Sequence, residues 1–234
     1  GIKGLPGFAR DRWRIAPEFA VRLDPALAAV GVLLEPTSVV AKAWEHVQRV
    51  GSRARWEPRV ALVTGAGPIG LLAALLAAQR GLEVHLLDRA TAGPKPLLAA
   101  ELGATYHATT VADLDLEPDV VIECTGAPAV VVQAIDKVAP TGVVCLTGVS
   151  SIGGRVEYAA GSLSRAVVLE NNVIFGSVNA NRRHWTAAAA ALEAADEGWL
   201  ARLITRRVPV ESYAEAYQRR DEDIKVVLEF APTR

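Results

Sequence analysis

The chain of 234 residues is poor in the side chains on which many catalytic and metal sites depend. Its two cysteines, Cys124 and Cys145, lie in apolar runs outside any Cys-x-x-Cys motif, which predicts buried free thiols and a reducing, cytoplasmic location. The four histidines are scattered, and none has a partner at metal-ligand spacing. We therefore interpret His85 and His107 as structural residues. No Ser–His–Asp set and no Tyr-x-x-x-Lys pair can be argued, so the chain lacks a complete catalytic set.

Other features are also absent from the sequence. There is no methionine, and the chain opens on GIKGLPGFARDRW, so we expect a fragment of a longer protein or one whose upstream part is missing. No apolar run is long enough to cross a membrane, and no signal peptide is visible. A hydrophobic content of 51% with a formal net charge of −1 predicts a soluble protein with a substantial core. The same balance argues against broad nucleic-acid binding.

The stretch Val60–Asp88 has the pattern around which the rest of the chain is organised. It opens with an apolar run, Val60–Val63, which is typical of a buried parallel strand. A glycine turn, Gly65-Ala66-Gly67-Pro68-Ile69-Gly70, leads into an apolar helix that Gly81 ends. A second apolar run, Val84–Leu87, is followed by Asp88, 18 residues after Gly70.

Each part of this stretch suits the binding of a nicotinamide dinucleotide. Gly65 allows the tight turn, Gly67 lets the pyrophosphate approach, and Gly70 lets helix and strand pack closely. The helix N-terminus offers N–H groups to the phosphates, and Asp88 would accept hydrogen bonds from the adenosine ribose. An ordinary glycine turn is the alternative, but all the required elements are in register. We expect cofactor contacts from the following residues: Gly65, Gly67, Pro68, Ile69, Gly70, Asp88 and Arg89.

Strands and helices continue to alternate after Asp88, which predicts an α/β fold with a doubly wound parallel sheet in the order 3-2-1-4-5-6. The predicted strands are Thr105–His107, Asp119–Glu123, Val143–Thr147 and Asn172–Phe175. Because the carboxyl ends of parallel strands share one edge, we expect three loops to contact the cofactor. These loops are Thr125-Gly126, Gly148-Val149 and Ser177-Val178-Asn179.

The two ends of the chain lack this alternation. Residues 1–30 contain short apolar runs, Trp13–Ile15 and Ala20–Leu23, that suggest strands of a small β-rich unit. After a helix over Arg183–Ala195 the alternation of strand and helix is not evident, and a strand is predicted over Asp223–Phe230. The mixed charges of residues 219–223 are interpreted as a solvated turn.

Glu35 has two possible roles. It lies between Leu34 and Pro36 at the predicted start of a helix, where a carboxylate complements the helix dipole. The alternative is a functional carboxylate. The residue and its neighbours alone do not decide between them.

Several segments together resemble one protein family. They are GIKG (1–4), GVLLEPTSVVAKAWEH (31–46), GAGPIGLL, DRATAGPKP, ELGATYH and FGSVNANRRHW (175–185). They are similar to the zinc-dependent glucose 1-dehydrogenases of the medium-chain dehydrogenase/reductase superfamily. The segments LLEPTSVV and GSVNAN are more specific for this family than the glycine motif is.

The resemblance implies a Rossmann domain inserted into a split GroES-like catalytic domain. On this basis residues 1–37 are a remnant of the catalytic domain, 38–176 form the dinucleotide-binding domain, and 177–234 return to the catalytic domain. It implies a place for Glu35 near zinc and sugar, and for Asn179 against substrate and nicotinamide. It also implies cofactor contacts from loops matching Thr147-Gly148-Val149 and Ser177-Val178-Asn179. The family's upstream metal ligands have no counterpart here, so we expect no competent metal site in these 234 residues.

The expected function is therefore NAD(P)-dependent oxidation of glucose or a similar aldose at C1 to the lactone, with zinc, in the full-length protein. This chain alone would bind the cofactor and be inactive. One alternative is another polyol or alcohol dehydrogenase of the superfamily; another is a non-catalytic nucleotide-binding module. Asp88 followed by a single arginine, Arg89, favours NAD, with NADP binding possible. The resemblance further implies a homo-oligomer, a dimer or tetramer, acting on a small sugar without nucleic acid or membrane.

Overall fold

The structure, a computed structural model, contains a six-stranded parallel sheet with helices on both faces. It describes residue 4 and residues 7–10, 12–218 and 220–230, so residues 1–3 of the GIKG segment and Arg219 lie outside the described part. The strand order is β3-β2-β1-β4-β5-β6, and every adjacent pair is parallel. The predicted α/β class and the order 3-2-1-4-5-6 are confirmed.

The strands of this sheet are short and follow the apolar runs of the sequence. They are Val60–Thr64 (β1), Glu83–Leu87 (β2), Thr105–His107 (β3), Val120–Glu123 (β4), Val143–Leu146 (β5) and Val173–Gly176 (β6). The helices are Leu34–Gly51 (α1), Pro68–Ala78 (α2), Pro94–Glu101 (α3), Pro128–Lys137 (α4), Ala160–Glu170 (α5), Arg182–Glu193 (α6), Glu197–Leu203 (α7) and Tyr213–Ala216 (α8).

Proline and glycine set several of these helix boundaries. Pro68, Pro94 and Pro128 each occupy the first position of a helix, where the missing N–H costs no helical hydrogen bond. Gly81 and Gly103 follow α2 and α3 with φ of +74° and +73°, the left-handed conformation that ends a helix. The predicted stop at Gly81 is therefore confirmed.

The core lies on both faces of the sheet. On one face the strands pack against α1, α2, α3, α6 and α7, in a cluster that includes the fully buried Trp44 and Leu72. On the other face Leu62, Val121 and Val144 pack against Ala134 of α4. Adjacent strand residues alternate between the two clusters, as the pleat of a strand requires. Among the residues that the structure describes, no helix is both long enough and apolar enough to span a membrane.

The N-terminal segment differs from the prediction. Trp13–Ile15 and Ala20–Leu23 form no strand, and the described part of residues 1–33 instead has short 3₁₀ turns at Pro17–Phe19, Pro25–Leu27 and Gly31–Leu33. The prediction of short strands here is wrong. Pro17 and Pro25 fix φ near the helical value at the start of two of these turns and so favour turns over extended strands.

The C-terminal segment contains a strand that the sequence prediction missed. Ile204–Pro209 (β7) pairs in parallel with Lys225–Glu229 (β8), and α8 lies between them in the chain. A strand–helix–strand unit therefore continues past α7, and the prediction that this alternation ends was wrong. Ile204 and Val227 belong to the same buried cluster as residues of the six-stranded sheet such as Ala61 and Ile122.

Candidate dinucleotide-binding site

The turn between β1 and α2 contains three glycines with different surroundings. Gly65 has φ of +90°, a conformation that residues with a side chain rarely adopt. A Cβ built on Gly70 would lie 1.7 Å from the carbonyl oxygen of Gly65, so no side chain fits there. A Cβ built on Gly67 has no atom within 4 Å. The turn is therefore closed at Gly70 and open at Gly67, where an approaching pyrophosphate needs space.

Helix α2 begins directly behind this opening. Gly67 is its N-cap residue, and the Gly67 carbonyl accepts the amide of Leu71 at 2.9 Å. The amides of Ile69 and Gly70 precede that first helical hydrogen bond and are left outside the ladder. Such amides, with the positive end of the helix dipole, form a favourable environment for phosphate groups.

Asp88 lies at the carboxyl end of β2, beside the glycine turn. Its carboxylate accepts the amides of Ala66 at 2.7 Å and Ala90 at 3.0 Å, and Lys95 Nζ lies 3.2 Å from each carboxylate oxygen. Burial by itself would raise the pKa of Asp88, but the two amides and the Lys95 ammonium outweigh it and hold the pKa below its usual value. Asp88 is thus a fixed anion at this edge of the sheet.

Two adjoining cavities surround Asp88, Arg89 and Lys95. One, of about 420 Å³, is lined also by Gly65, Gly67, Leu87, Cys124, Thr125, Ala127 and Val130. The other, of about 570 Å³, extends over residues 90–94 to the loop of residues 220–223. The structure therefore brings the glycine turn, Asp88, Arg89 and Thr125 together in one cleft.

The loops after β4 and β5 interlock through glycines. A Cβ on Gly148 would lie 2.2 Å from the amide nitrogen of Gly126. Gly126 has φ of +63°, and a Cβ there would lie 2.6 Å from the carbonyl carbon of Val149. The amide of Thr147 donates to the Glu123 carbonyl at 2.8 Å. These two loops form a single close-packed edge beside the cleft.

The loop after β6 is held differently. The Ser177 amide donates to the Leu146 carbonyl at 2.9 Å, and Asn179 has φ of +61°. Lys42, on α1, donates from Nζ to the Val178 carbonyl at 2.7 Å. Glu35 is exposed on the first turn of the same helix. The structure therefore connects the helix of Glu35 to the loop of Asn179 through Lys42, but neither residue lines the two cavities described above.

Neither the cysteines nor the histidines form a reactive or metal-binding group. Burial raises the pKa of Cys124 and of Cys145 to about 12, so both remain thiols. His85 Nδ1 lies 2.8 Å from His107 Nε2, and the two rings stack. Within residues 4, 7–10, 12–218 and 220–230, no three His, Cys, Asp or Glu side chains are grouped so as to hold a metal ion.

Sequence reasoning missed two residues of this region. Glu123 is completely buried at the end of β4 and receives hydrogen bonds from the next loop. Its signal was a lone acid at the end of the apolar run Val120–Ile122, which we assigned only to the strand. Lys42 gave no signal, because its partner Val178 is 136 positions away along the chain.

Comparison with known proteins gives a consistent result. The family model described as glucose dehydrogenase C-terminus matches residues 28–230. The chain is 41% identical to glucose 1-dehydrogenase 2 of Vulcanisaeta moutnovskia, over 98% of this chain and 67% of that protein.

Solved structures are similar as well. The crystal structure of glucose dehydrogenase from Haloferax mediterranei matches with a TM-score of 0.85 and 32% identity, over 93% of this chain and 64% of that one. The complex of the same enzyme with NADP, Zn and gluconolactone matches with a TM-score of 0.84 at 33% identity, over 91% and 62%. The chain thus spans roughly two thirds of the length of these relatives.

Proposed function

Because the chain belongs to the glucose dehydrogenase family of the medium-chain dehydrogenase/reductase superfamily, we propose that it is the dinucleotide-binding part of an NAD(P)-dependent sugar dehydrogenase. In the whole protein the reaction is the oxidation of glucose, or a similar aldose, at C1 to the lactone. One observation carries the proposal. Beside the point where the strand order reverses, between β1 and β4, the glycine turn is open at Gly67 and shares a cleft with Asp88. The names of the relatives supply the substrate class.

Each cleft residue has a proposed role. The amides of Ile69 and Gly70 receive the pyrophosphate, while Pro68 starts the helix behind them. Asp88 accepts the ribose hydroxyls of the adenosine half, with Arg89 and Lys95 beside it. Thr125 lines the same cavity as Asp88 and contacts the dinucleotide there. The other half of the dinucleotide lies against the remaining proposed contacts, which are Gly126, Thr147, Gly148, Val149, Ser177, Val178 and Asn179. The bound nicotinamide supplies the hydride acceptor.

The described residues do not fit a complete zinc site. A catalytic zinc takes three protein ligands, and in the described part of the chain Glu35 belongs to no group of three His, Cys, Asp or Glu side chains that could hold a metal ion. We propose that Glu35 contributes to the sugar and metal site only in the whole protein, with Asn179 against substrate and nicotinamide. The isolated chain then binds the dinucleotide without oxidising sugar. The division into residues 1–37, 38–176 and 177–234 is part of the same proposal.

Assembly and location are also proposed. The edge strand β6 and the exposed apolar side chains of Val168, Leu169 and Ile152 support association of two or four copies. The free thiols of Cys124 and Cys145 support a cytoplasmic location.

The experiment is an assay of the protein as its gene encodes it, with whatever precedes Gly1. We expect glucose-dependent formation of NAD(P)H that a chelator abolishes and zinc restores, and that Glu35→Ala and Asn179→Ala each reduce. Turnover of polyols or simple alcohols in place of glucose would favour another dehydrogenase of the superfamily. Cofactor binding without turnover of any of these substrates would favour a non-catalytic nucleotide-binding module.

A further inference from the structure

Glu123 occupies the switch point of the sheet. It is the last residue of β4, and its register partners are Thr64 at the end of β1 and Leu146 at the end of β5. The strand order reverses between β1 and β4, so Glu123 lies where the two halves of a dinucleotide meet. Its side chain is 0% exposed.

The carboxylate is held by hydrogen bonds from its surroundings. Oε1 accepts the amides of Thr125 at 2.7 Å and Gly126 at 3.0 Å, the Thr125 hydroxyl, and, at 3.4 Å, the Thr64 hydroxyl. Oε2 accepts the Gly126 amide at 3.2 Å. No Lys, Arg or His of the described residues forms an ion pair with Glu123. Most hydrogen bonds to this buried carboxylate therefore come from the loop that follows it. A buried carboxylate needs such hydrogen bonds, because it has lost those that water would make.

The main chain of Glu123 holds the neighbouring loop in the same way. Its carbonyl accepts the amides of Thr147 at 2.8 Å and Gly148 at 2.9 Å, and the Thr147 hydroxyl at 2.8 Å. A Cβ on Gly148 would lie 2.8 Å from Glu123 Oε2, so this loop packs directly on the carboxylate. One residue thus fixes the loops after both β4 and β5.

We propose that Glu123 is a positioning residue for the nicotinamide half of the cofactor, an inference that rests on the proposed function. The loop after β5 that it fixes belongs to the β4–β6 half of the sheet, whereas the adenosine half lies over β1 and β2 with Asp88, in a cavity that Thr125 also lines. The side chain is covered by Thr125 and Gly126 and acts through them. Loss of the hydrogen bonds to Glu123 should therefore lower the affinity for NADH more than the affinity for a ligand that has only the adenosine half.

The test replaces Glu123 by glutamine and measures two ligands by calorimetry. With its carbonyl oxygen at the Oε1 position the glutamine keeps the bonds to Thr125 and Gly126 at that atom, but these bonds lose the carboxylate charge. The NH₂ group then replaces Oε2, cannot accept from the Gly126 amide, and is buried without a partner. We expect the Kd for NADH to rise about tenfold and the Kd for ADP, which carries only adenosine and diphosphate, to stay within about twofold. Thermal unfolding verifies that the variant is folded.

A second variant and a control complete the design. Thr64→Val removes a hydroxyl that donates a hydrogen bond to Glu123 and that is buried away from the cofactor. We expect the Kd for NADH to rise about threefold and the Kd for ADP to stay unchanged. If Glu123→Gln does not fold, the comparison of NADH with ADP is made on Thr64→Val instead. Glu83→Gln, which changes an exposed carboxylate on β2, should alter neither affinity.

The outcomes separate this inference from the proposed function. An equal loss of affinity for NADH and for ADP, or no change in either affinity, would overturn the positioning role of Glu123. Neither result would overturn the proposal that the chain binds the cofactor. Failure of the unmodified chain to bind NADH would overturn the proposed function, and this inference with it.

Discussion

The glycines of the glycine turn differ in the space that a new side chain would have. This difference decides whether a substitution changes the stability of the chain or its binding of a ligand. Gly65 needs its positive φ, and Gly70 has no space for a Cβ, so changes at either alter the fold itself. Gly67 has neither restriction, with φ of −80° and open space around a built Cβ. Only Gly67 can therefore separate the binding of a ligand from the stability of the chain.

Gly70→Ala should destabilise the protein. The new methyl group would lie 1.7 Å from the Gly65 carbonyl oxygen, so helix α2 must move away from β1. We expect a loss of about 3 kcal/mol in the free energy of unfolding, as for an overpacked core position. Urea unfolding measures it, with Gly161→Ala in the exposed first turn of α5 as the control. Equal midpoints for Gly70→Ala and the unmodified chain would contradict the close packing.

Asp88 should make the chain prefer NAD over NADP by about tenfold, the ~1.4 kcal/mol that one screened like-charge contact supplies. Against a 2′-phosphate the carboxylate is a like charge, and Lys95, 3.2 Å from both oxygens, offsets only part of it. Asp88→Asn with Ala90→Arg should reverse the preference, because Lys95 and the new arginine then face the phosphate.

Dissociation constants for NAD and NADP decide this prediction. Asp115→Asn removes the same charge from an exposed position outside both cavities and should leave the ratio unchanged. Tighter binding of NADP than of NAD by the unmodified chain would show that Arg89 and Lys95 outweigh Asp88.

At the scale of elements, local patterns predicted the sheet because each strand, turn and helix carries its own signal. The run Val60–Val63, the glycine turn and Gly81 all act on neighbouring residues and were predictable from the sequence. The strand Ile204–Pro209 was missed because its alternation includes the polar residues Thr205 and Arg206 and its partner β8 lies about 20 residues further on. Long-range contacts such as Lys42 with Val178 and the loop bonds of Glu123 depend on the fold and leave little trace in the sequence.

Helix α6 has a cap that depends on the charge state of a histidine. The amide of Asn181 donates to His184 Nδ1 at 3.1 Å, which requires a neutral ring. Burial lowers the pKa of His184, Arg183 and His46 lower it further, and Glu45 opposes them without reversing the direction. His184 Nε2 lies 3.1 Å from Glu45 Oε2 but outside hydrogen-bond geometry.

His184 should therefore make stability depend on pH. Its folded pKa is below the unfolded value of about 6.5, so its contribution is complete above that pH and is lost as the pH falls through the lower folded value. His184→Gln keeps an acceptor at the same capping position without titrating. Between pH 7.5 and 5.5 the free energy of unfolding should fall more for the unmodified chain than for this variant. Parallel pH dependences in urea unfolding would contradict the neutral cap.

At the scale of the whole molecule, the chain has a continuous core despite spanning roughly two thirds of its relatives' length. Four residues of the C-terminal segment pack in the same cluster as the strands of the six-stranded sheet; they are Trp199, Leu203, Ile204 and Val227. A partly buried ion pair, Arg206 with Asp223 at 2.7 Å, joins β7 to the loop before β8. From a core of this size we expect the isolated chain to fold, and a cooperative thermal unfolding transition verifies it.

The isolated chain should bind the dinucleotide and yet produce no NADH from glucose, with or without added zinc. The physical reason is the ligand inventory, since no three metal-binding side chains are grouped in its described residues. Absorbance at 340 nm measures NADH formation, and a full-length relative named glucose 1-dehydrogenase, assayed under the same conditions, is the positive control. Zinc-dependent NADH formation by these 234 residues alone would contradict the prediction.

The most direct test of the central claim, that this cleft binds a nicotinamide dinucleotide through the open glycine turn, is calorimetric titration of Gly67→Val with NADH. A valine there has room in the folded chain but occupies the space that the pyrophosphate needs. We predict a fall in affinity of at least about a hundredfold, with an unchanged unfolding midpoint. Gly161→Val, on α5 and outside both cavities, should bind NADH as the unmodified chain does. Unchanged NADH affinity in a folded Gly67→Val protein would contradict the account.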